Sequence, residues 1–129
     1  IKNTPGAIGY VNQSYIDDVV RPAALQNLNG DFVLPSVDAG AKALNGIELD
    51  ENLAGTNPNP TAEGAYPIAT LTWILAYETG NGRNTEAIKT TLSTLLSDEY
   101  QDKAPKLGFV PLKGEILEKS RAAVERIGK

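Results

Sequence analysis

The stretch AYPIATLTWILAY, residues 65–77, indicates the fold more strongly than any other part of this chain. From residue 68 to residue 77 it is a nearly continuous apolar run, with Thr70 and Thr72 as the early polar members. Such a run is typical of a strand covered on both faces of a sheet in an α/β protein. A second segment, PGAIGYV at residues 5–11, follows a Pro-Gly turn and predicts another buried strand over residues 7–11.

The sequence between these two runs begins with a short helix and a hairpin. Asn12 or Ser14 can cap a brief helix over residues 15–20, because both side chains accept hydrogen bonds from backbone N–H groups. Residues 23–28 and 31–34 flank Asn29 and Gly30, a dipeptide that readily takes the positive φ values of a two-residue hairpin turn. The pattern therefore predicts two antiparallel strands.

A capped helix and a linker follow the hairpin. Ser36 can cap a helix that runs to Leu44, and Asn45-Gly46 predicts a left-handed stop. Residues 52–64 contain Asn-Pro-Asn-Pro and little apolar content, which predicts an exposed loop and the best internal boundary.

The last third of the chain is predicted to be mainly helical. After a turn at residues 80–82, a helix starts at Asn84 or Thr85 and carries one apolar stripe. Ser97 then opens a second short helix that stops near Ala104-Pro105. An extended link at residues 109–112 precedes a final helix over residues 115–127, whose apolar side holds Ile116, Leu117, Ser120, Val124 and Ile127.

Composition excludes several classes of function. The 129 residues include no Cys, His or Met, so neither a thiolate nucleophile nor an imidazole base is available, and no metal site or cofactor is indicated. The net charge of −4 is spread over short mixed runs, which argues against nucleic acid as a partner. No apolar stretch reaches the roughly 18 residues that span a bilayer.

No group of residues forms a catalytic pattern. The adjacent acids Asp17-Asp18, Asp50-Glu51 and Asp98-Glu99 are interpreted as capping and solvated groups, since neighbours in sequence usually point apart. Gly80 and Gly82 lack the third glycine of a nucleotide-binding fingerprint and indicate a surface turn. Arg21 and Arg83 are interpreted as solvated loop side chains. The aromatic residues Tyr10, Tyr66 and Trp73, which could stack on a sugar or a base, are predicted to be core.

Several segments together resemble the final third of the periplasmic phosphate-binding proteins of Pst-type ABC transporters. The resemblance covers residues 4–11, residues 24–34, the entry at residues 65–68, the run at residues 71–76, and the tail from residues 107–112 into residues 121–124. The motif PGAIGY is the most specific of these, and some variants are most similar to cyanobacterial members.

The resemblance implies an α/β chain that is the C-terminal part of a two-lobed periplasmic-binding-protein (type II) fold, with mixed sheets flanked by helices. On this basis residues 1–64 finish the second lobe, residues 65–67 cross between lobes with Tyr66 and Pro67 as the hinge, and residues 68–129 complete the first lobe. A proline fixes φ where a chain leaves one sheet for another. The family's phosphate ligands lie upstream, so no ligand-binding, catalytic or metal residue is assigned here.

The function implied by the resemblance is that of a periplasmic solute-binding protein, not an enzyme. It would bind inorganic phosphate and deliver it to the membrane permease of an ABC importer, as a monomer in its full-length form. Two other classes stay open. One is a secreted phosphatase or phosphate-sensing domain on the same scaffold, and the other is a small α/β domain with structural or interaction duties.

Overall fold

The computed structural model describes residues 1–128 and shows a mixed α/β arrangement, which confirms the sequence prediction at this coarse level. The helices are α1 (Val37–Leu44), α2 (Thr85–Leu95), α3 (Asp98–Lys103) and α4 (Gly114–Arg126). Short 3₁₀ turns lie at Gln13–Tyr15, Gly82–Asn84 and Ala104–Leu107. Strands β1 (Leu25–Gln26) and β2 (Phe32–Val33) pair antiparallel, with Leu25 opposite Val33 and Gln26 opposite Phe32.

The hairpin between β1 and β2 forms where it is predicted, but its loop is one residue longer. The Asn27 side-chain oxygen accepts hydrogen bonds from the backbone N–H groups of Asn29 and Asp31, each at 3.0 Å. The Gly30 N–H donates to the Asn27 carbonyl at 3.1 Å, and of the loop residues only Gly30 is left-handed, with φ +87°. A three-residue loop with a glycine bulge therefore replaces the predicted two-residue turn.

Helix α1 forms as predicted because Ser36 caps it. The Ser36 Oγ accepts a hydrogen bond from the Ala39 N–H at 3.0 Å, and Ser36 itself is extended. A Cβ added at Gly40 would lie 2.7 Å from Val110 Cγ2, so this glycine lets residues 109–112 pack closely on the helix. The buried face of α1 consists of Ala39, Gly40, Ala43 and Leu44.

Two local predictions are wrong. The helix predicted over residues 15–20 is a single 3₁₀ turn at Gln13–Tyr15, although Asn12 caps it by accepting the Ser14 N–H at 3.0 Å. The predicted left-handed stop at Asn45-Gly46 is also absent, because Asn45 keeps right-handed helical angles (φ −60°, ψ −18°). The helix ends without the backbone reversal that glycine would permit.

The two buried strands predicted from the apolar runs are not formed. Residues 7–11 and residues 68–77 pair with no strand among residues 1–128. Ile8 is 97% exposed, Tyr10 99% and Leu75 95%. A strand is buried only when a neighbouring strand takes its backbone hydrogen bonds, and none of the described residues does so.

The segment predicted as an exposed linker packs partly on α1. Pro60 is fully buried, as is Ala65 just beyond the segment. The Asn57 side-chain amide donates to the Ala43 carbonyl at 3.4 Å. Residues 52–64 therefore stay close to the helix rather than forming a free connection.

The C-terminal helices α2, α3 and α4 all form close to their predicted bounds. Ser97 caps α3 by accepting the Tyr100 N–H at 3.4 Å. Arg121 of α4 donates twice to the Leu96 carbonyl, at 3.0 and 2.7 Å, and once to Asp98 at 2.7 Å. This arginine ties α4 to the junction of α2 and α3. Within residues 1–128 no helix is long and apolar enough to cross a membrane.

Buried apolar side chains concentrate around α1 and at the end of α4. The first group is Ala39, Ala43, Leu44, Ile47 and Ala65, and the second is Val124 and Ile127. Every residue of α2 keeps some exposure, although its apolar stripe is well formed. The packing of the C-terminal half therefore leaves one face of α2 open.

Candidate functional site: an apolar groove and the 65–67 crossing

A groove of about 680 Å³ lies between residues 71–76, which belong to no helix or strand, and helices α2, α3 and α4. The apolar stripes of α2 and α4 face it, together with the link at residues 109–112. Its apolar side chains include Leu92, Leu95, Leu96, Phe109, Leu112 and Ile116. The apolar side chains that recur at helical spacing in α2 and α4 thus line an open groove instead of a closed core.

Two polar side chains of the groove, Gln101 and Ser120, are already bonded within the protein. Gln101 donates to the Leu95 carbonyl at 2.8 Å and accepts the Leu112 N–H at 2.7 Å. The Ser120 hydroxyl donates to the Ile116 carbonyl at 2.8 Å. Most of the lining is apolar, and its arginine, Arg126, is paired with Glu78, so the groove favours apolar side chains over an anion.

An ion pair between Arg126 and Glu78 forms part of the groove lining. Arg126 donates to the Glu78 carboxylate at 2.7 Å, and the Gly128 N–H donates to the Glu78 carbonyl at 2.7 Å. Both side chains are about half exposed, so this pair contributes little to stability but fixes the position of residue 78 against α4.

Trp73 connects residues 71–76, which form one wall of the groove, to a loop twenty residues earlier. Its indole N–H donates to the Leu53 carbonyl at 2.7 Å. Leu53 is left-handed (φ 61°), a costly conformation for a bulky side chain, and the Asp50 carboxylate supports it by accepting the N–H groups of Asn52 and Ala54 at 2.8 and 2.9 Å. No signal in the sequence pairs Trp73 with this loop.

Of the two predicted hinge residues, Tyr66 is bonded to α1 and Pro67 to the loop that precedes it. The Tyr66 N–H donates to the Ala39 carbonyl at 3.1 Å, and the Pro67 carbonyl accepts the Asn59 N–H at 3.4 Å. Partial burial raises the pKa of the Tyr66 phenol above its ordinary value. The chain is thus held at Tyr66, and beyond Pro67 it enters the exposed run. That these residues act as a hinge stays a prediction.

The three carboxylate pairs each have a local structural role. Hydrogen bonds from Lys2, then from the Val20 and Val19 N–H groups, lower the pKa of Asp17 to about 2. Asp50 holds the loop described above, and Asp98 accepts a hydrogen bond from Arg121. In the part of the chain that the structure describes, no cluster of three or more acids, histidines or cysteines could hold a metal.

The remaining candidates lie on the surface. A Cβ added at Gly80 or Gly82 would meet no described atom within 4 Å, which fits a surface turn. Arg21 and Arg83 are exposed. The prediction that Tyr10 and Trp73 are core is wrong, because Tyr10 is 99% and Trp73 41% exposed. Both belong to runs whose partner strands are absent from residues 1–128.

Comparison with known proteins confirms the resemblance found in the sequence. No protein-family model matches the chain. The phosphate-binding protein PstS of Methanocaldococcus jannaschii is 28% identical over 98% of this chain and 36% of its own length. The phosphate-binding protein PstS of Xylella fastidiosa is 30% identical over 95% of this chain and 34% of its own length. The chain thus spans about a third of the length of the curated relatives it matches.

Proposed function

We propose that these residues are the C-terminal part of a solute-binding protein that binds inorganic phosphate and delivers it to an ABC importer. The observation that carries this proposal is the similarity to two phosphate-binding proteins over 95–98% of the chain. Those relatives are named for binding, not for catalysis, and the protein proposed here is likewise not an enzyme.

The proposal assigns residues 1–64 to the end of one lobe, residues 65–67 to the crossing and residues 68–129 to the completion of the other lobe. Two features support this division. Tyr66 is held against α1, which belongs to the first range, while the apolar run beyond Pro67 faces α2 and α4, which belong to the last. Hinges of two-lobed proteins absorb rotation over a few residues of this kind.

The phosphate itself would be held by residues outside this chain. A dehydrated anion requires several convergent N–H, hydroxyl or guanidinium donors. In the groove Gln101 and Ser120 are bonded internally, and Arg21 and Arg83 are exposed. In this proposal the chain forms part of each lobe and the crossing between the lobes. These parts determine how the two lobes close on the anion.

Location and partners follow from the same proposal. A solute-binding protein of this class works in the periplasm and docks on the permease of its importer. The net charge of −4 and the acidic isoelectric point of about 4.8 give no basic surface for an alternative nucleic-acid partner.

The test is calorimetric titration of the complete gene product that carries these residues, with inorganic phosphate and with sulfate as the control anion. We expect one phosphate per protein, weaker binding of sulfate, and no phosphate binding by residues 1–129 alone. A complete gene product that gives no heat with phosphate would contradict the proposal. Phosphate binding by residues 1–129 alone would contradict the placement of the ligands elsewhere.

A further inference from the structure

Three Asn-Gly pairs occur in the chain, at residues 29–30, 45–46 and 81–82. Glycine has no Cβ to obstruct its backbone nitrogen, so this nitrogen can attack the side-chain carbon Cγ of the asparagine before it. The new N–Cγ bond closes a succinimide ring, and the side-chain nitrogen takes the glycine proton and leaves as ammonia. Water then breaks one C–N bond of the ring and leaves aspartate or isoaspartate. Each pair is therefore a candidate for spontaneous modification.

The pair at residues 29–30 is held by the hairpin loop. The Asn29 side-chain amide donates to the Thr61 carbonyl at 3.0 Å. The Gly30 N–H donates to the Asn27 carbonyl at 3.1 Å. The two groups that would react are both engaged in hydrogen bonds, so ring closure requires that both bonds break.

The pair at residues 81–82 is held at the start of the 3₁₀ turn before α2. The Asn81 side-chain amide donates to the Tyr77 carbonyl at 2.7 Å, and the Asn81 carbonyl accepts the Asn84 N–H at 3.1 Å. Asn81 is also half-buried. Ring closure rotates both the side chain and the carbonyl of this asparagine, so it would break both bonds.

The reacting groups of the pair at residues 45–46 are not held. Asn45 and Gly46 are exposed and lie just beyond the last residue of α1. Among residues 1–128, neither the Asn45 side-chain amide nor the Gly46 N–H forms a hydrogen bond. Asn45 keeps helical angles (φ −60°, ψ −18°), so its ψ must rotate before the Gly46 nitrogen reaches Cγ. The hydrogen bond that spans this rotation runs from the Ile47 N–H to the Leu44 carbonyl at 3.0 Å.

Close packing requires glycine at residue 46. A Cβ added to Gly46 would lie 2.5 Å from the Asn57 Nδ2. The Asn57 amide also donates to the Ala43 carbonyl at 3.4 Å, which connects residues 52–64 to α1. A larger residue at position 46 would displace this amide. The reactive dipeptide is thus tied to the packing of residues 52–64 on α1.

We propose that Asn45 is the residue at which this protein deamidates, and that the modification loosens the end of α1. The reaction needs only the chain and water, so the inference does not depend on the proposed function. Phosphate titration of the same protein is a separate result, and the failure of either proposal leaves the other in place.

The loosening follows from the position of the new group. A carboxylate at position 45 lies at the C-terminus of a helix, where the helix dipole is itself negative. Lys42, one turn earlier, is already paired with Asp38 at 3.1 Å. Isoaspartate also adds a carbon to the backbone between Leu44 and Ile47, which are both buried.

The experiment is incubation of the folded complete gene product at mildly alkaline pH, followed by mass spectrometry of its peptides. Fragment ions locate each modified residue and distinguish isoaspartate from aspartate. We expect modification at Asn45 roughly tenfold faster than at Asn29 or Asn81, since hydrogen bonds of the reacting residues must first break at the other two sites. In concentrated urea, where these bonds are lost, the pairs should react at similar rates.

Asn27→Ala tests whether the hydrogen bonds of the loop protect Asn29. The variant removes the side-chain oxygen that accepts the Asn29 and Asp31 N–H groups, so modification at Asn29 should become several-fold faster. The rate at Asn81 is the internal reference and should not change. If the rate at Asn81 also rises, the variant has unfolded, and the rates in the wild-type protein decide the question.

Asn45→Asp and Asn45→Gln form a matched pair that tests the effect on α1. In urea unfolding, Asn45→Asp should shift the folding equilibrium by about two- to fivefold toward the unfolded state, because its charge opposes the helix dipole. Asn45→Gln keeps a neutral amide and should unfold like the wild type. Its longer side chain closes a ring far more slowly, so the fastest modification should disappear. Equal unfolding of the two variants would contradict the loosening of α1.

Two results in the folded wild-type protein would overturn the assignment of Asn45. Modification at Asn29 or Asn81 that is as fast as at Asn45 would show that the hydrogen bonds at those sites give no protection. An unmodified Asn45, after a time in which the protein in urea has reacted, would show that this residue is held or covered in the complete protein.

Discussion

The region around α1 and the run at residues 68–77 are both rich in apolar side chains, yet only the first is buried. Ala43 on α1 is 2% exposed, whereas Leu75 in the run is 95% exposed. The backbone of α1 satisfies its own hydrogen bonds within the helix, and Ser36 supplies the missing acceptor at its start. The run has no such local solution, because a strand needs a neighbour to complete its hydrogen bonds.

The apolar side chains around α1 are therefore covered by other residues of this chain, whereas those along residues 68–77 are not. Around α1, residues 57–66 return to the helix and cover it, as the buried Pro60 and Ala65 show. Along residues 68–77 the hydrogen bonds to other segments are those of the Trp73 indole with Leu53 and of the Tyr77 carbonyl with Asn81, and apolar surface remains open between them. Substitutions in the two regions should therefore have very different consequences.

The largest contrast is expected between Ala43→Asp and Leu75→Asp in residues 1–129. Ala43→Asp buries an unpaired charge and should lower the free energy of unfolding by about 3 kcal/mol or more. Leu75→Asp changes a solvated side chain and should stay within about 0.5 kcal/mol of the wild type. Urea unfolding followed by circular dichroism measures both. Similar losses for the two variants would show that residue 75 is as buried as residue 43.

The next effect concerns the point where the two regions meet. In the complete protein, Pro67→Gly frees the backbone at the proposed crossing and should weaken phosphate binding by about tenfold, because the closed arrangement loses more chain entropy. Unfolding of the protein should change little. Pro58→Gly, in the exposed part of the preceding loop, is the control. An unchanged dissociation constant for Pro67→Gly would count against Tyr66 and Pro67 as the hinge.

A smaller effect should come from the cap of α1. Ser36→Ala removes the acceptor for the Ala39 N–H and should cost about 1 kcal/mol of unfolding free energy. Ser93→Ala, on the exposed surface of α2, is the matched control and should be neutral. Equal values for the two serines would mean that the cap does not stabilise this region.

The smallest effect lies in the N-terminal segment, beside the other exposed run at residues 7–11. The pKa of Asp17 is lowered to about 2 from its ordinary 3.8, chiefly by the hydrogen bond from Lys2. A lowered folded-state pKa stabilises the fold at pH values above 3.8, and this contribution is lost as the pH falls from 3.8 toward 2. Lys2→Met should return the midpoint toward 3.8 in an NMR titration. An unchanged midpoint would show that Lys2 does not set it.

The sequence predicts the helices well because their signals are local. Ser36 and Ser97 both cap the helices that they precede, and the stripes of α2 and α4 form as the spacing indicates. The hairpin is also predicted, but its loop is longer than predicted. The Asn27 side chain accepts hydrogen bonds from two backbone N–H groups, and the preference of Asn-Gly for two-residue turns does not include this contact. Predictions that depend on neighbours within a few residues thus succeed in most cases, although the helix over residues 15–20 and the left-handed stop at Asn45-Gly46 do not form.

The strands and the groove depend on contacts that the sequence does not specify. The apolar runs at residues 7–11 and 68–77 have the composition of buried strands, but burial requires partners that residues 1–128 do not provide. The bond from Trp73 to the Leu53 carbonyl joins positions twenty residues apart through a left-handed leucine. The periodicity of the sequence reveals neither the missing strand partners nor the bond between Trp73 and Leu53.

Amide hydrogen exchange of residues 1–129 tests the contrast between the two regions most directly. We expect slow exchange for the amides of Ala43 and Leu44 in α1, and exchange close to that of an unfolded chain for residues 71–76. Protection of residues 71–76 equal to that of α1 would contradict it, because the run would then already have its strand partner within this chain.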